Sequence, residues 1–146
     1  MRRFATGKYQ VQNPEKYIGN RQPTYRSSWE YTFCKTCDTH PAIVKWASEA
    51  IAIPYRCPMT GKQTVYVPDF FIQYVDREGK MHVELIEVKP RNQTMKEHVG
   101  RSKHNQIEYA RNMAKWQAAT AWCRKQGVKF RVLNEQDLFS LTPRKR

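Results

Sequence analysis

Acidic residues are scarce in this sequence relative to basic ones. The 146 residues include 13 Asp and Glu against 26 Lys and Arg, so the formal net charge is +13 at pH 7. No apolar run reaches the roughly 18 residues that a membrane-spanning helix needs, which excludes such a helix. The segment MRRFATGKYQ also lacks the apolar core of a secretory signal, so we expect a protein that is not exported.

Cysteine is infrequent as well, with four residues in the chain. Cys34 and Cys37 form a C-x-x-C pair inside a predicted helix, but no second pair is present to complete a four-cysteine zinc site. Cys57 and Cys123 are isolated. We interpret all four as reduced core or surface thiols, with a zinc site as the alternative.

The excess of positive charge is larger than solubility alone requires. It favours a polyanionic partner, and we predict double-stranded DNA. A membrane surface is the other common polyanion, but no basic amphipathic helix is found near the N-terminus, so we expect no membrane binding. A length of 146 residues suits one domain with a substantial core.

The pattern of apolar residues predicts a single α/β domain. Residues 1–26 are interpreted as an extended basic arm, 27–139 as the core and 140–146 as a basic tail. One helix is predicted to start at Ser27 and to end before Pro41, and a second runs from about His104 to Gln126, with Gly127 as its C-terminal cap. The other predicted segments are strands at 50–55, 64–75, 81–90 and 128–134, a hairpin turn at 76–79, a polar loop at 91–102 and a short helix at 135–139.

Charged residues interrupt the apolar run ELIEVKP in the middle of a predicted strand. Side chains alternate between the two faces of a strand, so Glu87 and Lys89 share one face and Glu84 lies on the opposite, solvent-facing side. The hairpin turn brings Asp69, on the partner strand, close to Glu87. Clustered carboxylates repel each other unless a cation neutralises them, and oxygen ligands favour Mg²⁺. The sequence therefore predicts a metal site at Asp69 and Glu87.

The residues around this predicted site suit phosphodiester hydrolysis. The Val88 carbonyl is available as a further metal ligand, and Lys89 could orient an attacking water or stabilise a phosphorane-like transition state. A bound metal would make that water more acidic and polarise the phosphodiester. The alternatives are that Asp69 is a turn or edge-strand acid paired with an arginine, and that Glu87 and Lys89 form a solvated cross-strand pair.

The spacing of these residues carries a family resemblance. Pro68-Asp69, followed after 17 residues by Glu87-Val88-Lys89, resembles the PD-(D/E)xK nuclease superfamily. That resemblance implies a restriction-endonuclease-like αβββαβ core, a mixed sheet flanked by helices, and acids that bind Mg²⁺, for which Mn²⁺ can substitute. It also implies that the lysine assists the nucleophilic water, and that a glutamate on the first helix, here Glu30, joins the metal site. The alternative for Glu30 is a helix-capping role, because Ser27 and Glu30 have the spacing of a capping box.

Longer segments narrow the resemblance. YRSSWE, VPDFFIQY and LIEVKP are similar to transposon end-cutting endonucleases and to a phage Holliday-junction resolvase. With NPEKYIGN, CDTHP, WASEAIAIPY and NMAKW added, nearly the whole chain resembles the head completion nucleases of large contractile-tailed phages, although Met113-Ala114 departs from an expected Gln-Ala. This implies a DNA endonuclease that acts after DNA packaging, in the host cytoplasm or on the virion, with portal or neck proteins as partners. The alternatives are a junction-resolving or transposon-type endonuclease, and a DNA-binding structural head protein whose nuclease motif is idle.

A local excess of basic residues between 91 and 129 predicts a DNA-tracking surface beside the metal site. A solvated helix face is the alternative for many of these residues. The predicted DNA contacts, which include one residue of the arm, are Arg26, Arg91, Lys96, Arg101, Lys103, Arg111 and Lys115.

Overall fold

The computed structural model describes residues 6–90, 100, 102–134 and 137. The helices are α1 (Ser28–Thr39) and α2 (Lys103–Gln126). The strands are β1 (Gly7–Lys8), β2 (Thr24–Tyr25), β3 (Ile43–Ser48), β4 (Ile53–Arg56), β5 (Gln63–Tyr66), β6 (Phe70–Val75), β7 (Met81–Val88) and β8 (Lys129–Leu133). The predicted loop at 91–102, apart from 100 and 102, the predicted helix at 135–139, apart from 137, and the predicted tail lie outside the described residues.

A four-stranded mixed sheet in the order β3-β6-β7-β8 forms the centre of the fold. β3, β6 and β7 are antiparallel neighbours, and β8 is parallel to β7. The parallel pair needs a crossover connection, which α2 provides. The order of the main elements is therefore αβββαβ, with the small β4-β5 hairpin inserted after β3, and the predicted α/β fold is confirmed.

Local signals in the sequence explain where the helices begin and end. The Ser27 hydroxyl accepts a hydrogen bond from the Glu30 N–H at 3.1 Å, which caps the start of α1. The helix ends at His40, just before Pro41. The second helix ends at Gly127, whose φ of 73° lies in the left-handed region that glycine adopts without steric cost. Both predicted helices are confirmed to within one or two residues.

The two faces of the sheet bury separate apolar clusters. On one face, Phe33 and the thiols of Cys34 and Cys37 from α1 pack against Phe70 and Ile86. On the other face, a second cluster joins α2 to the β4-β5 hairpin through Leu85, Tyr66, Ala119 and Cys123. All four cysteines are buried as free thiols, whereas the sequence predicted reduced core or surface thiols without deciding between the two positions.

Two strand predictions are wrong in part. The strand β3 was not predicted, and the segment predicted at 50–55 overlaps β4 only, which belongs to the separate hairpin. The predicted strand at 64–75 is divided into β5 and β6, which belong to different sheets. The division falls at Pro68, which has no N–H to donate to a sheet and is fully buried where the chain changes sheet.

The predicted extended arm is folded onto the domain over its described part. Tyr9 is buried in the first core cluster, and its hydroxyl donates a hydrogen bond to Asp38 in α1 at 2.8 Å. The Asp38 carboxylate also accepts hydrogen bonds from the Gln12 and Asn13 N–H groups at 2.7 and 3.0 Å. A buried carboxylate at the end of α1 therefore fixes the N-terminal segment, which the amino-acid composition did not indicate.

Among the described residues, no helix is long and apolar enough to cross a membrane.

Candidate active site

The hairpin formed by β6 and β7 places Asp69 and Glu87 beside each other. Phe70 pairs with Ile86 in the antiparallel register. Asp69 directly precedes Phe70 and Glu87 directly follows Ile86, so the two acids lie side by side. The Val88 N–H donates a hydrogen bond to Asp69 Oδ2 at 2.8 Å, which holds that carboxylate against the end of β7. The structure thus brings together the two acids that the strand pattern paired.

Glu87 is 7% exposed and has two polar neighbours, a neutral hydroxyl and a charged ammonium. The Tyr66 hydroxyl donates a hydrogen bond to Glu87 Oε1 at 2.7 Å, and Lys89 Nζ lies 3.7 Å from Glu87 Oε2. Burial raises the pKa of the Glu87 carboxyl, while the Tyr66 hydrogen bond and the charges of Lys89 and Lys115 lower it. The Glu87 carboxyl is therefore shielded from water, and its pKa is set by burial on one side and by these three neighbours on the other.

Glu30 reaches the same site from the first turn of α1. It is 9% exposed, and its side chain accepts a hydrogen bond from the Arg26 N–H at 3.2 Å. Its own N–H donates to the Ser27 hydroxyl at 3.1 Å, so the start of the helix is capped while the carboxylate accepts from Arg26. Burial raises the pKa of Glu30, and the negative charge of Glu87 raises it further. The capping role and the position at the site coexist.

The three acids form one electrostatic unit. Burial raises the pKa of Asp69 well above its ordinary value, and the charges of Glu87 and Glu30 raise it further. The charge of Glu87 therefore disfavours ionisation of the other two acids, as expected for carboxylates that lie near each other without a cation. Among the described residues, no group of three or more His, Cys, Asp or Glu side chains is arranged to hold a metal ion.

Two residues that the sequence did not single out take part in the site. Burial and the charge of Glu87 raise the pKa of Tyr66, so its hydroxyl stays protonated and can donate to the carboxylate. Next to Tyr66 lies Lys115 of α2, which the sequence did predict as a DNA contact; its ammonium is 5.7 Å from the centre of the Tyr66 ring. Glu49 is in the left-handed region, with a φ of 49°, and its N–H donates a hydrogen bond to the Asp69 carbonyl at 2.9 Å. Tyr66 is buried and the other three residues of β5 are exposed, so no alternation along the strand marks it; for Glu49 the sequence carries no signal either.

The prediction that Glu84 faces solvent is wrong. Glu84 is 3% exposed, accepts a hydrogen bond from the Tyr74 hydroxyl at 2.7 Å and pairs with Arg131 Nε at 2.8 Å. Its face of the strand is covered by α1 and not by water, because the sheet is flanked by helices on both sides. Glu84 therefore belongs to a structural ion pair away from Asp69 and Glu87.

The predicted DNA contacts fall into three groups. Arg91, Lys96 and Arg101 lie outside the described residues. Lys103 is exposed at the start of α2, and the charge of Lys115 acts on Glu87. Arg26 and Arg111 have carboxylate partners, Glu49 and Glu108 respectively.

The comparison with known protein families agrees with this geometry. The sequence model described as "TnsA-like endonuclease N terminal" matches residues 40–135, which is more than half of the chain. The chain belongs to this endonuclease family. The matched range contains Asp69, Glu87 and Lys89, whereas Glu30 precedes it. This endonuclease is also 35% identical, over 93% of its own length and 95% of the relative, to the head completion nuclease of Enterobacteria phage T4.

Membership of the family gives the buried acids of this endonuclease a chemical context. The chain is a nuclease, and the three carboxylates with Lys89 are its candidate catalytic centre. The strand-pairing argument predicted that Asp69, Glu87 and Lys89 lie together, and the structure places Lys89 beside Glu87 and Asp69 against the end of β7. Their catalytic roles stay predictions.

Proposed function

We propose that this endonuclease hydrolyses phosphodiester bonds in double-stranded DNA with the help of a divalent metal, and that it acts in the completion of phage heads. The observation that carries the proposal is the convergence of Glu30, Asp69 and Glu87 with Lys89 at one end of the sheet. These residues come from α1, the start of β6 and the end of β7, in a chain that belongs to an endonuclease family.

The donor set fits a hard divalent cation. Asp69 and Glu87 would hold it with the Val88 carbonyl, and these donors are all oxygens. Glu30 would have to move to join them, because the three acids as they stand are not arranged to hold an ion together. Burial raises the pKa of Asp69 and of Glu30, the charge of Glu87 raises both further, and a bound cation would offset that charge. Mg²⁺ is commonly bound by one or two carboxylates together with substrate phosphate, so a complete protein cage is not required. When bound, Mg²⁺ or Mn²⁺ supplies Lewis-acid polarisation of the phosphodiester and a more acidic water.

The other side chains act on the nucleophile and on the developing charge. The Lys89 ammonium, 3.7 Å from Glu87, can orient the attacking water by donating a hydrogen bond to it and can stabilise negative charge on the phosphoryl oxygens. The Tyr66 hydroxyl fixes one oxygen of Glu87, so the other oxygen faces Lys89. Burial of Glu30 and Glu87 excludes water that would otherwise screen the charges.

The DNA surface that we propose lies on the side of α2. The charge of Lys115 acts on Glu87, and Lys103 is exposed at the start of the same helix. Arg91, Lys96, Arg101 and Arg111 complete the surface in this proposal, and Arg26 is a proposed DNA contact on the α1 side of the site. The excess of 26 Lys and Arg over 13 Asp and Glu supports binding to a polyanion.

The proposed place of action rests on the relative. The name of the phage T4 protein, together with 35% identity over nearly the whole chain, supports a role in head completion. We propose that this step follows DNA packaging, in the host cytoplasm or on the virion. Portal or neck proteins are the partners that we propose for this step.

A cleavage assay on linear, four-way-junction and single-stranded DNA tests the proposal. Wild type is expected to cleave with Mg²⁺ or Mn²⁺ and not with EDTA, and Glu87→Gln is expected to lower the rate at least about a hundredfold, because metal polarisation is worth several kcal/mol. The matched control is Glu84→Gln, which changes a buried glutamate on the other face of the same strand. Equal cleavage by the two variants would refute the site, and preference for four-way junctions would favour a junction-resolving enzyme.

A further inference from the structure

A polar cleft lies on the α1 side of the carboxylates and has no role in the mechanism above. It has a volume of about 580 Å³ and is formed by the turn at 18–22, by β2 and by the end of β3. Its cationic lining residues are Lys8, Arg21 and Arg26, and Glu49 is the acid among its lining residues.

The cleft is connected to the candidate active site through the backbone. The Arg26 N–H donates to the Glu30 carboxylate at 3.2 Å, and the Glu49 N–H donates to the Asp69 carbonyl at 2.9 Å. The Arg26 guanidinium pairs with Glu49, another lining residue, at 3.1 Å, and 64% of the Arg26 side chain is exposed. A polyanion in the cleft would therefore lie next to the reacting phosphate.

Hydrogen bonds and close packing fix the wall of the cleft. Just before the turn at 18–22, the chain forms a parallel bridge with β3, between Tyr17 and Trp46. The Tyr17 hydroxyl donates a hydrogen bond to the Arg21 carbonyl at 2.6 Å. A Cβ at Gly19 would be 2.4 Å from that hydroxyl oxygen, so the turn closes in this form because the residue is glycine. The Ser48 hydroxyl fixes the opposite side by accepting the Thr24 N–H at 3.2 Å.

The lining chemistry matches a nucleic-acid backbone. Lysine and arginine neutralise phosphates, and Asn, Gln and Thr side chains donate hydrogen bonds to phosphate and sugar oxygens without reading sequence. Asn20 and Thr24 supply such groups in the same lining as Lys8 and Arg21, whereas the Gln22 amide donates to the Tyr9 carbonyl at 3.1 Å and to Gln10 Oε1 at 2.7 Å. Both cations are exposed, so they are accessible to a ligand in solution.

We infer that this cleft is a backbone-binding subsite that holds a DNA strand flanking the scissile phosphate, on the opposite side of the carboxylates from α2. The inference rests on the proposed nuclease function and adds a second contact region to it. The substrate would span the active site, with phosphates on the Lys115 side and on the Lys8 and Arg21 side. Contacts on both sides of the scissile bond align the phosphate with the carboxylates.

Binding of a labelled 30-base-pair duplex, measured by fluorescence anisotropy in EDTA over a range of salt concentrations, tests the subsite. The double variant Lys8→Ala/Arg21→Ala is expected to bind more weakly at low salt. Its slope of log K against log salt should be shallower by about 1.8, because each phosphate contact contributes about 0.9. The matched control is Arg77→Ala/Lys80→Ala, which removes the same charge from the exposed turn between β6 and β7. A slope for Lys8→Ala/Arg21→Ala equal to that of the control would overturn the inference.

Two activity measurements separate this inference from the proposed function. Lys8→Ala/Arg21→Ala should raise the KM for duplex DNA while leaving hydrolysis of bis(p-nitrophenyl) phosphate unchanged, because that small diester does not reach the cleft. An unchanged KM for DNA would refute the subsite and leave the nuclease function standing. If wild type cleaves neither substrate with Mg²⁺ or Mn²⁺, the proposed function fails first.

Discussion

The hydrogen bond from Tyr66 to Glu87 offers a direct test of how the site is held. Tyr66→Phe removes one hydroxyl and keeps the ring that packs in the second core cluster. The bond is 2.7 Å long, is buried, and ends on a carboxylate that is 7% exposed. Little water can replace the lost donor, so the change should be felt by Glu87 itself.

The expected magnitude follows from the charge of the acceptor. A hydrogen bond to an ionised group is worth about 1.5–3 kcal/mol, against about 0.5–1.5 kcal/mol for a neutral one. Burial raises the pKa of Glu87, so ionising it as the pH rises lowers the stability of the folded state in both proteins. The loss is greater in Tyr66→Phe, because Tyr66 lowers the pKa of Glu87 and its removal lets that pKa rise further. The stability difference between the two proteins should therefore grow with pH.

Urea unfolding in EDTA, followed by tryptophan fluorescence at several pH values between 5 and 9, measures this difference. Cleavage with saturating Mg²⁺ on the same samples gives the functional consequence. We expect the acid limb of the activity profile of Tyr66→Phe to move to higher pH, since Glu87 must lose its proton to act as a carboxylate.

Tyr74→Phe is the matched control, because Tyr74 donates a bond of the same 2.7 Å length to Glu84. That bond lies on the other face of the hairpin, where Arg131 also contacts Glu84. Tyr74→Phe should lose stability without changing the pH profile of cleavage. The reasoning would be refuted by a stability penalty in Tyr66→Phe that does not depend on pH, or by identical cleavage profiles for the two variants.

Other consequences of the structure can be measured separately. Asp69→Asn should be inactive, yet in EDTA at pH 8 it should melt at a higher temperature than wild type. The raised pKa of Asp69 means that ionisation of this carboxyl destabilises the metal-free fold, so a lower melting temperature would contradict the reasoning. Asp38→Ala should cost at least about 3 kcal/mol in urea unfolding, since three buried or partly buried donors lose their acceptor, and a cost below about 1 kcal/mol would show that the N-terminal segment is fixed elsewhere. DNA affinity should fall with salt at a log–log slope of roughly −5 if six phosphates are neutralised, and Lys103→Ala/Lys115→Ala should make that slope shallower; a wild-type slope near zero would remove nucleic acid as the main partner.

Some of the candidate site could be predicted because it depends on short-range geometry. Asp69 and Glu87 are joined by one hairpin, so alternation along two strands and one turn suffices to bring them together. The position of Lys89 could be predicted in the same way, because residues two positions apart on a strand share a face. The ends of the helices were predictable for a similar reason, because Ser27 and Gly127 act on backbone groups within the adjacent helical turn.

Other features were decided by packing between distant segments. Glu30 lies far from both acids in sequence, and only the docking of α1 on the sheet brings its carboxylate to them, so its membership of the site was implied by family resemblance and not by spacing. Tyr66 reaches Glu87 because the chain leaves the β4-β5 sheet at Pro68 and enters the central one.

Glu84 and the N-terminal segment show the limit of pattern reasoning most plainly. Alternation separates the two faces of a strand, but whether a face meets water or a helix depends on what packs over it. Here α1 covers the face of Glu84, and Arg131 and Tyr74 compensate its charge. Likewise, Asp38 binds the segment that composition alone described as an arm. Burial and hydrogen bonding of a charged group are properties of its three-dimensional neighbours, and those neighbours are brought together only when the chain folds.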